Sequence, residues 1–265
     1  MKLVGLSCAV VFLIGALAAA KTSVSPSEPF APTPVVVELF TSEGCSSCPP
    51  ADRLLAELEA SQPVSGAQII AVEEHVDYWN HLGWADPFSS PQWTARQQDY
   101  AAAFRADGEY TPEMVVGGRQ EFVGSRSDLA TKAIEEARKL PSVTVTLTKS
   151  EADPSAPPRF SLRVGKLPRV LDGDSAEVWL LVTESGLASK VSAGENAGRL
   201  LAHASLLRSL NRIATADGRR DTSFEGTVSV KLKPEWKRQN LMAVVLVQEK
   251  KSRHILGAAS SRVAG

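Results

Sequence analysis

The sequence has 265 residues, of which 43% are hydrophobic and 22% are charged, and its formal net charge is −1. These values are typical of a globular protein and exclude the disordered, collagen-like and coiled-coil classes. The length allows one large domain or two smaller ones. Because the charge is close to zero, a broad basic surface is excluded and no nucleic-acid partner is expected.

Residues 1–20 have the pattern of a secretory signal peptide. Lys2 precedes an apolar run over residues 3–17, and three alanines end the segment. We expect cleavage after Ala20, which removes Cys8 and places the protein in the periplasm or outside the cell. A retained membrane anchor is the alternative interpretation. Later segments are too short or too polar to span a bilayer, so no membrane span is expected after cleavage.

The rest of the chain divides into three parts. Residues 21–34 are rich in proline and serine and predict a flexible leader. Residues 35–140 alternate strand and helix patterns, whereas residues 141–265 contain short segments of alternating apolar and polar residues. The sequence therefore predicts an α/β domain over 35–140 and a smaller antiparallel, sandwich-like β domain over 141–265.

In the first predicted domain, strands at 35–40 and 69–72 flank a helix at 49–60, which is typical of a right-handed parallel crossover. An aromatic-rich insertion follows at 77–90. Further on we expect a helix over 91–104 capped by Ser90, a hairpin of strands 113–116 and 120–123, and a helix from 127 to about 139 capped by Ser127. Strand candidates in the second domain are 143–148, 160–164, 177–183, 227–232 and 241–248, and the segment 194–213 fits a helical face only in part.

Cys45 and Cys48 are the two cysteines outside the signal segment, and they lie where the first strand meets the first helix. A C-x-x-C motif in this position is typical of a thioredoxin-like redox site. Two intervening residues let the sulfurs approach to bonding distance, and the helix N-terminus stabilises a thiolate on Cys45. The sequence thus predicts a redox disulfide in which Cys45 attacks and Cys48 resolves, with no organic cofactor.

Three further residues are candidates for the same site. Thr111-Pro112 directly precedes a predicted strand, where thioredoxin-like folds place a cis proline facing the disulfide. Thr111 would then offer its backbone to an extended substrate. Glu38 lies in an apolar strand, where a carboxylate is expensive to bury without a use. We predict that Glu38 helps to deprotonate Cys48, and a paired or solvent-facing carboxylate is the alternative.

Segments 36–52, 75–88 and 110–116 closely resemble a family of secreted bacterial proteins that is catalogued as a domain of unknown function with a thioredoxin-like fold. Residues 194–200 with His203 resemble the second half of that family. The resemblance covers nearly all of the chain after the signal segment. It implies the fold and the export of the protein, but it supplies no substrate. Glu73-Glu74 depart from the family, in which smaller or apolar residues are expected.

Several histidines and aromatic residues allow two interpretations each. His75 could have a functional role, holding a proton or completing a metal site, or it could fix the aromatic insertion by a hydrogen bond. Four aromatic residues could form a hydrophobic lip for a substrate or pack the insertion onto the domain: Trp79, Trp84, Phe88 and Trp93. His203 and Arg208 are expected in a structural network.

The leading functional hypothesis is thiol–disulfide exchange outside the cytoplasm, acting on a protein or small thiol–disulfide substrate with an unidentified redox partner. One alternative is a periplasmic copper-binding protein that uses the two thiolates and His75, since soft ligands suit Cu(I). The other alternative is a non-catalytic binding module with a static disulfide, although so short a loop constrains little of the unfolded chain.

Overall fold

The computed structural model describes residues 31–150, 156–167, 174–217 and 223–264. The predicted signal peptide and most of the predicted leader lie outside this range. The chain from Ala31 to Gly265 forms one compact unit. None of the helices described has the length and apolar character needed to cross a membrane.

The first half of the chain contains all three α-helices that the structure describes. Strands β1 (Thr33–Thr41) and β2 (Ala67–His75) pair in parallel, and helix α1 (Pro49–Ser61) connects them. An insertion with one turn of 3₁₀ helix at Asn80–Leu82 leads to α2. The remaining elements are α2 (Pro91–Phe104), β3 (Glu113–Val116), β4 (Gln120–Val123) and α3 (Ser127–Ala137).

The second half is built from strands and one 3₁₀ turn at Arg238–Asn240. Its strands are β5 (Val145–Lys149), β6 (Arg159–Val164), β7 (Ser175–Glu184), β8 (Leu187–Lys190), β9 (Leu200–His203), β10 (Leu206–Asp217), β11 (Phe224–Ser229), β12 (Leu241–Glu249) and β13 (Ile255–Arg262). They contribute to three sheets. The largest has the order β13-β12-β7-β10-β2-β1-β3-β4, the second is β11-β6-β5, and the third is the β8-β9 hairpin.

Both faces of the eight-stranded sheet are covered near β1. Val37 and Leu39 of β1 pack on one face against Leu55 of α1 and Ile134 of α3. Val36 packs on the opposite face in a cluster with Trp93 of α2. Because successive strand residues point to opposite faces, neighbouring residues of β1 reach different layers. This alternation decides which side chains of β1 lie near α1.

The three-stranded sheet packs on the part of the large sheet that comes from the second half. Phe160 and Leu162 of β6 share a hydrophobic cluster with Leu180 of β7 and with Ala243 and Val245 of β12. The three-stranded antiparallel sheet therefore shares a hydrophobic core with the large sheet. The observed architecture is a mixed α/β fold with one large mixed sheet and small antiparallel sheets.

The eight-stranded sheet contains strands from both sides of residue 140, where the sequence predicts a domain boundary. Leu206 of β10 pairs in parallel with Glu73 of β2, and the Glu73 N–H donates to the Ser205 carbonyl at 3.0 Å. Strands from 35–140 and from 141–265 thus share one eight-stranded sheet. The sequence pattern cannot reveal this pairing, because β2 and β10 each have the pattern of an ordinary strand and neither indicates its partner.

Several predicted elements are confirmed and others need correction. Helix α2 has its predicted bounds, and Ser90 caps it by accepting a hydrogen bond from the Gln92 N–H. Ser127 is instead the first residue of α3, which begins without a side-chain cap. The segment 194–213 forms β9 and most of β10 rather than a helix, since pairing with neighbouring strands overrides its helical periodicity. The structure also contains strands β8 and β13, which the sequence did not predict.

Candidate functional site

Cys45 and Cys48 form a disulfide at the start of α1, as the sequence predicts. Cys48 is the residue that precedes the first turn of the helix, and Pro49 and Pro50 occupy helical positions where an N–H is not needed. Ser46 and Ser47 are exposed, whereas both cysteines are 0% exposed. The Ser47 hydroxyl lies 3.3 Å from Cys45 Sγ. The disulfide is therefore fully buried.

The loop at 191–199 between β8 and β9, which we name the hairpin loop, lies next to the disulfide. The side-chain amide of Asn196 donates to the carbonyls of Glu43 and Cys45, both at 2.9 Å. The Ser46 N–H donates to Glu195 Oε2 at 3.0 Å. Hydrogen bonds from the Ser46 side chain and from this N–H hold the pKa of Glu195 below its usual value. The hairpin loop is thus bonded to the backbone on both sides of Cys45.

The aromatic insertion packs beside the same loop. Trp79 Nε1 donates to Thr111 Oγ1 at 2.8 Å, and a Cβ at Gly44 would lie 3.2 Å from the Trp79 Cβ. Trp84 Nε1 donates to Glu43 Oε2 at 2.8 Å. Trp79, Trp84 and Phe88 are partly buried, but Trp93 lies in the core under α2 and does not belong to a substrate lip.

The Thr111–Pro112 peptide bond is cis, which confirms the sequence prediction. Pro112 lies close to α1, because side chains of both Pro112 and Ala51 of α1 come within 3.3 Å of where a Cβ at Gly124 would be. A Cβ built at Gly124 would be 3.3 Å from the Pro112 Cβ, 3.1 Å from the Ala51 Cβ and 2.7 Å from Leu39 Cδ1. Glycine at 124 therefore lets Pro112 pack near the first turn of α1.

Glu38 lies on the face of the sheet opposite α1. The prediction that it lies beneath the disulfide is therefore wrong. It is fully buried, and Oε1 accepts from Arg96 Nε of α2 at 2.7 Å. Tyr100 of α2 donates to its other oxygen. The neighbours Val37 and Leu39 point toward α1, so the strand alternation directs Glu38 toward α2. The carboxylate serves a buried ion pair there.

Asp52 is the buried carboxyl group that lies nearest to Cys48 in the sequence. It follows Cys48 by one turn of α1, and its N–H donates to the Cys48 carbonyl at 3.1 Å. Side chains one turn apart share a helix face, and they lean toward its N-terminus. Burial, together with the negative charge of Glu73, raises the pKa of Asp52 to about 7, although Thr41 donates to its Oδ1 at 2.6 Å.

A second polar cluster lies behind Asp52, at the end of β2. Glu73 Oε1 is 2.9 Å from His75 Nε2 and 2.8 Å from His203 Nδ1. The far ring nitrogens bind two other carboxylates: His75 Nδ1 lies 2.7 Å from Asp86 Oδ2, and His203 Nε2 lies 2.9 Å from Glu43 Oε1. All five side chains are buried. We refer to Glu43, Glu73, His75, Asp86 and His203 as the histidine–carboxylate cluster.

The charges of this cluster support one another. Burial opposes the charged form of each group, but the charge of Asp86 and hydrogen bonds raise the pKa of His75 well above its usual value. Hydrogen bonds with Glu43 and Glu73 likewise raise the pKa of His203 to about 9. The two histidines in turn lower the pKa of Glu73 to about 2 against the effect of burial.

The cluster adjoins a groove on the side of α2 and β10. The Phe88 ring packs edge-on against His75 and His203, with centroid distances of 5.8 and 5.3 Å. Phe88 also lines a groove of about 510 Å³ together with Arg208 and Trp236. The Arg208 guanidinium lies over both aromatic rings. Arg208 and His203 therefore lie in a packed network, as the sequence predicts.

The sequence thus identifies part of the site. It identifies Cys45, Cys48, Thr111 and Pro112, which the fold brings to the N-terminal end of α1. His75 fixes the insertion through Asp86, as one of its two interpretations requires, and both of its ring nitrogens face carboxylates rather than the cysteines. The prediction missed the roles of Asp52, Glu43, Asp86 and Asn196. The spacing of Asp52, four residues after Cys48 in a predicted helix, was the available signal.

Comparison with known proteins gives a family and two similar structures. A family model described as "Protein of unknown function (DUF1223)" matches residues 36–248. An X-ray structure of a protein from Agrobacterium tumefaciens matches with a TM-score of 0.66 and 21% identity, covering 86% of this chain and 94% of that one. HBP35 of Porphyromonas gingivalis matches with a TM-score of 0.61 and 16% identity, covering 88% and 76%. No curated protein gives a significant match. The two structures support the fold alone.

Proposed function

Since this chain belongs to the DUF1223 family of proteins of unknown function, its activity has to be inferred from its site, and we propose that it is a thiol–disulfide oxidoreductase. The observation that carries the proposal is the Cys45–Cys48 disulfide at the N-terminal end of α1. The helix N-terminus favours a thiolate there, which is the form that attacks a disulfide. A purely stabilising role is a weak explanation for a bridge that spans three residues.

The proposed exchange transfers two electrons. In the reduced protein, the Cys45 thiolate attacks a substrate disulfide, forms a mixed disulfide and releases one substrate thiolate. The Cys48 thiolate then attacks Cys45 Sγ, which closes the protein disulfide and releases the second substrate thiolate. The Ser47 hydroxyl, 3.3 Å from Cys45 Sγ, is placed to donate a hydrogen bond to the first thiolate.

Asp52 supplies the proton acceptor in this proposal. Cys48 must lose its proton before it resolves the mixed disulfide. Asp52 lies one helical turn away, and its pKa of about 7 suits proton exchange near neutral pH. Glu38, the acid that the sequence points to, bonds Arg96 on the other face of the sheet and takes no part.

The hairpin loop has to move before exchange can begin. Both cysteines are fully buried, and Asn196 and Glu195 hold the backbone at 43–46. Glu195 and the residues on either side of Asn196 are exposed, whereas Val191 at the base of the loop is buried in the core, so the part that would move is 192–199. The proposal therefore includes an open state in which Cys45 reaches a substrate.

A thioredoxin-like arrangement is the finer part of the proposal. Its support is the order β2-β1-β3-β4 in the first half of the chain, with α1 and α3 packed on one face and α2 on the other. We further propose export to the periplasm or the cell exterior, where disulfides persist. The substrate would be a protein or small molecule with a thiol or disulfide, and a separate redox partner would restore the starting state.

The test is to trap the mixed disulfide with the protein after removal of residues 1–20. Reduced Cys48→Ser protein is mixed with a disulfide-bonded peptide, and a covalent complex that dithiothreitol cleaves is expected. Cys45→Ser is the matched control and should form at least 10-fold less complex, because Cys45 is the attacking residue. Equal trapping by both variants, or no trapping by Cys48→Ser, would contradict the proposal.

The full burial of the disulfide favours a second candidate, a binding module with a static bridge. The reduction potential of the Cys45–Cys48 pair separates the two. A value below about −300 mV is typical of structural disulfides and would favour the binding module. A more oxidising value would support exchange.

A further inference from the structure

We propose that Glu73, His75 and His203 form a binding site for a divalent transition-metal ion such as Zn²⁺. Their ligand atoms, one from each residue, all lie within 4.8 Å of one another, and all three residues are buried. Two imidazole nitrogens and one carboxylate oxygen are a ligand set that zinc accepts, with a fourth position left for water. The site is separate from the Cys45–Cys48 pair and does not depend on its proposed chemistry.

The backbone holds the three ligands together. Glu73 and His75 are two residues apart on β2, so both side chains point to the same face of the sheet. His203 ends β9 and arrives beside them because β10 pairs with β2 directly afterwards. Ligands from β2 and β9 thus meet at a fixed junction of the fold, and a metal there would link the two halves of the chain.

The ligand separations are slightly shorter than those around an ion of this size. A tetrahedral ion with bonds of about 2.0–2.1 Å holds its ligands about 3.3 Å apart. Glu73 Oε1 lies 2.9 Å from His75 Nε2 and 2.8 Å from His203 Nδ1. Each of these separations would lengthen by about half an ångström, estimated from the same bond lengths, to make room for the ion.

The outer contacts are a second, independent indication. Metal-bound histidines almost always donate their other ring N–H to a carboxylate or carbonyl. His75 Nδ1 lies 2.7 Å from Asp86 Oδ2, and His203 Nε2 lies 2.9 Å from Glu43 Oε1, so each ring can make this contact. These contacts leave His75 Nε2 and His203 Nδ1, the two atoms that face Glu73, as the coordinating nitrogens.

The outer carboxylates are themselves fixed. Asp86 accepts from the N–H groups of Glu43 and Phe88, at 2.8 and 2.9 Å. Glu43 accepts from Trp84 Nε1, and Glu73 Oε2 accepts from the Ala204 N–H at 2.9 Å. An orientation supported at every outer atom is what a preformed metal site requires.

Charge also favours a cation. The cluster contains three carboxylates and two histidines, so it keeps an excess negative charge even if both rings are protonated. The nitrogen ligands favour zinc-like ions over Mg²⁺ and Ca²⁺, which prefer oxygen.

Phe88 provides the way in. Its ring packs against both histidines and lines the groove of about 510 Å³ beside Arg208. Rotation of this one partly buried side chain would connect the ligand atoms with the groove. No movement of the sheet is needed.

The experiment titrates the untagged, oxidised protein with Zn²⁺ at pH 8, after removal of residues 1–20. The disulfide is kept closed so that thiolates cannot bind metal. We expect one Zn²⁺ per chain by calorimetry, with Mg²⁺ giving no binding. His203→Gln should lose stoichiometric binding, and Glu43→Gln should weaken it about 10- to 100-fold. His81→Gln and His254→Gln alter the other two histidines of the chain and should bind as the wild type does.

X-ray absorption on the zinc-loaded wild type keeps the proposal testable if His203→Gln does not fold. It should show two imidazole ligands and no sulfur. Three results would overturn the proposal: no stoichiometric zinc in the wild type, unchanged binding in folded His203→Gln, or a sulfur ligand in the absorption spectrum. Each of these is independent of whether Cys45 exchanges disulfides.

Discussion

Asn196 and Cys45 are joined by a hydrogen bond between residues 151 positions apart in the chain. The Asn196 side-chain amide donates to the Cys45 carbonyl at 2.9 Å and to the Glu43 carbonyl at the same distance. Its Oδ1 accepts from Arg199 Nη1 at 2.8 Å, and the side chain is fully buried. This amide therefore ties the hairpin loop to the backbone that carries the disulfide.

Asn196→Ala should make the disulfide easier to reduce. The substitution removes three hydrogen bonds, of which the two to the backbone at 43–45 are worth about 0.5–1.5 kcal/mol each, so the open state becomes more populated. We expect the rate of reduction by dithiothreitol to rise about 10-fold at constant pH. Asn211→Ala, at an exposed position of β10, is the control and should react as the wild type does. An unchanged rate in folded Asn196→Ala would show that the loop does not limit access.

Asp52→Asn should change how stability depends on pH. The pKa of Asp52 is about 7 in the folded protein and close to 3.8 in the unfolded chain, so the folded state binds the extra proton between these values. The free energy of unfolding therefore falls as the pH rises from about 4 through about 7, by up to about 4 kcal/mol from this group. Asparagine cannot ionise, and it removes this contribution.

The Asp52 prediction is checked by urea denaturation at pH 5 and pH 8.5, with the disulfide intact. Groups from three strands face Asp52: Thr41 of β1, Glu73 and His75 of β2, and His203 of β9. They are unchanged in the variant, so the difference from the wild type isolates the aspartate. Asp107→Asn, at an exposed position, should keep the wild-type slope. Equal slopes in the wild type and Asp52→Asn would disprove the assignment.

Gly124→Ala should destabilise the protein near the site. The added methyl group would lie 2.7 Å from Leu39 Cδ1 and 3.1 Å from the Ala51 Cβ. Overpacking of this kind costs about 1–3 kcal/mol, which chemical denaturation measures. Gly226→Ala is the control, because its methyl group would meet the ring end of Phe224 at 3.3 Å, where a side chain can move. Equal stabilities of the two variants would contradict the close packing of α1.

The local parts of the fold could be predicted from the sequence, because their signals lie within a few residues. The cap at Ser90, the Gly117-Gly118 turn and the C-x-x-C motif at a strand–helix junction each have short-range physical causes. The pairing of β10 with β2 has no such signal. It joins residues more than 100 positions apart, and it turns two predicted domains into one sheet.

The site was predictable to the same extent. The spacing of Cys45 and Cys48 is enough to identify them from the sequence. The histidine–carboxylate cluster, in contrast, is assembled by the long-range pairing at the end of β2. Glu38 shows the opposite error. Its apolar surroundings correctly predict burial, but the choice of face follows from one residue of strand register. A shift of one residue along β1 decides whether a carboxylate points toward the disulfide or toward α2.

Arg96→Met should be strongly destabilising without affecting the disulfide. Arg96 is buried between Glu38 and Glu74, with its guanidinium 2.5 Å from Glu38 Oε1 and 3.4 Å from Glu74 Oε1. Removing one partner of a buried ion pair costs about 3–5 kcal/mol, because the remaining charge loses its compensation. Urea denaturation measures this loss, and Arg53→Met on the exposed side of α1 should cost far less.

Glu38→Gln separates the two roles considered for this residue. Since Glu38 faces α2 and not α1, the variant should keep the wild-type rate of disulfide reduction by dithiothreitol across pH 6–9. Asp52→Asn should alter that pH profile, because its carboxyl group lies one helical turn from Cys48. A profile that changes in Glu38→Gln and stays constant in Asp52→Asn would reverse the assignment and return Glu38 to the disulfide.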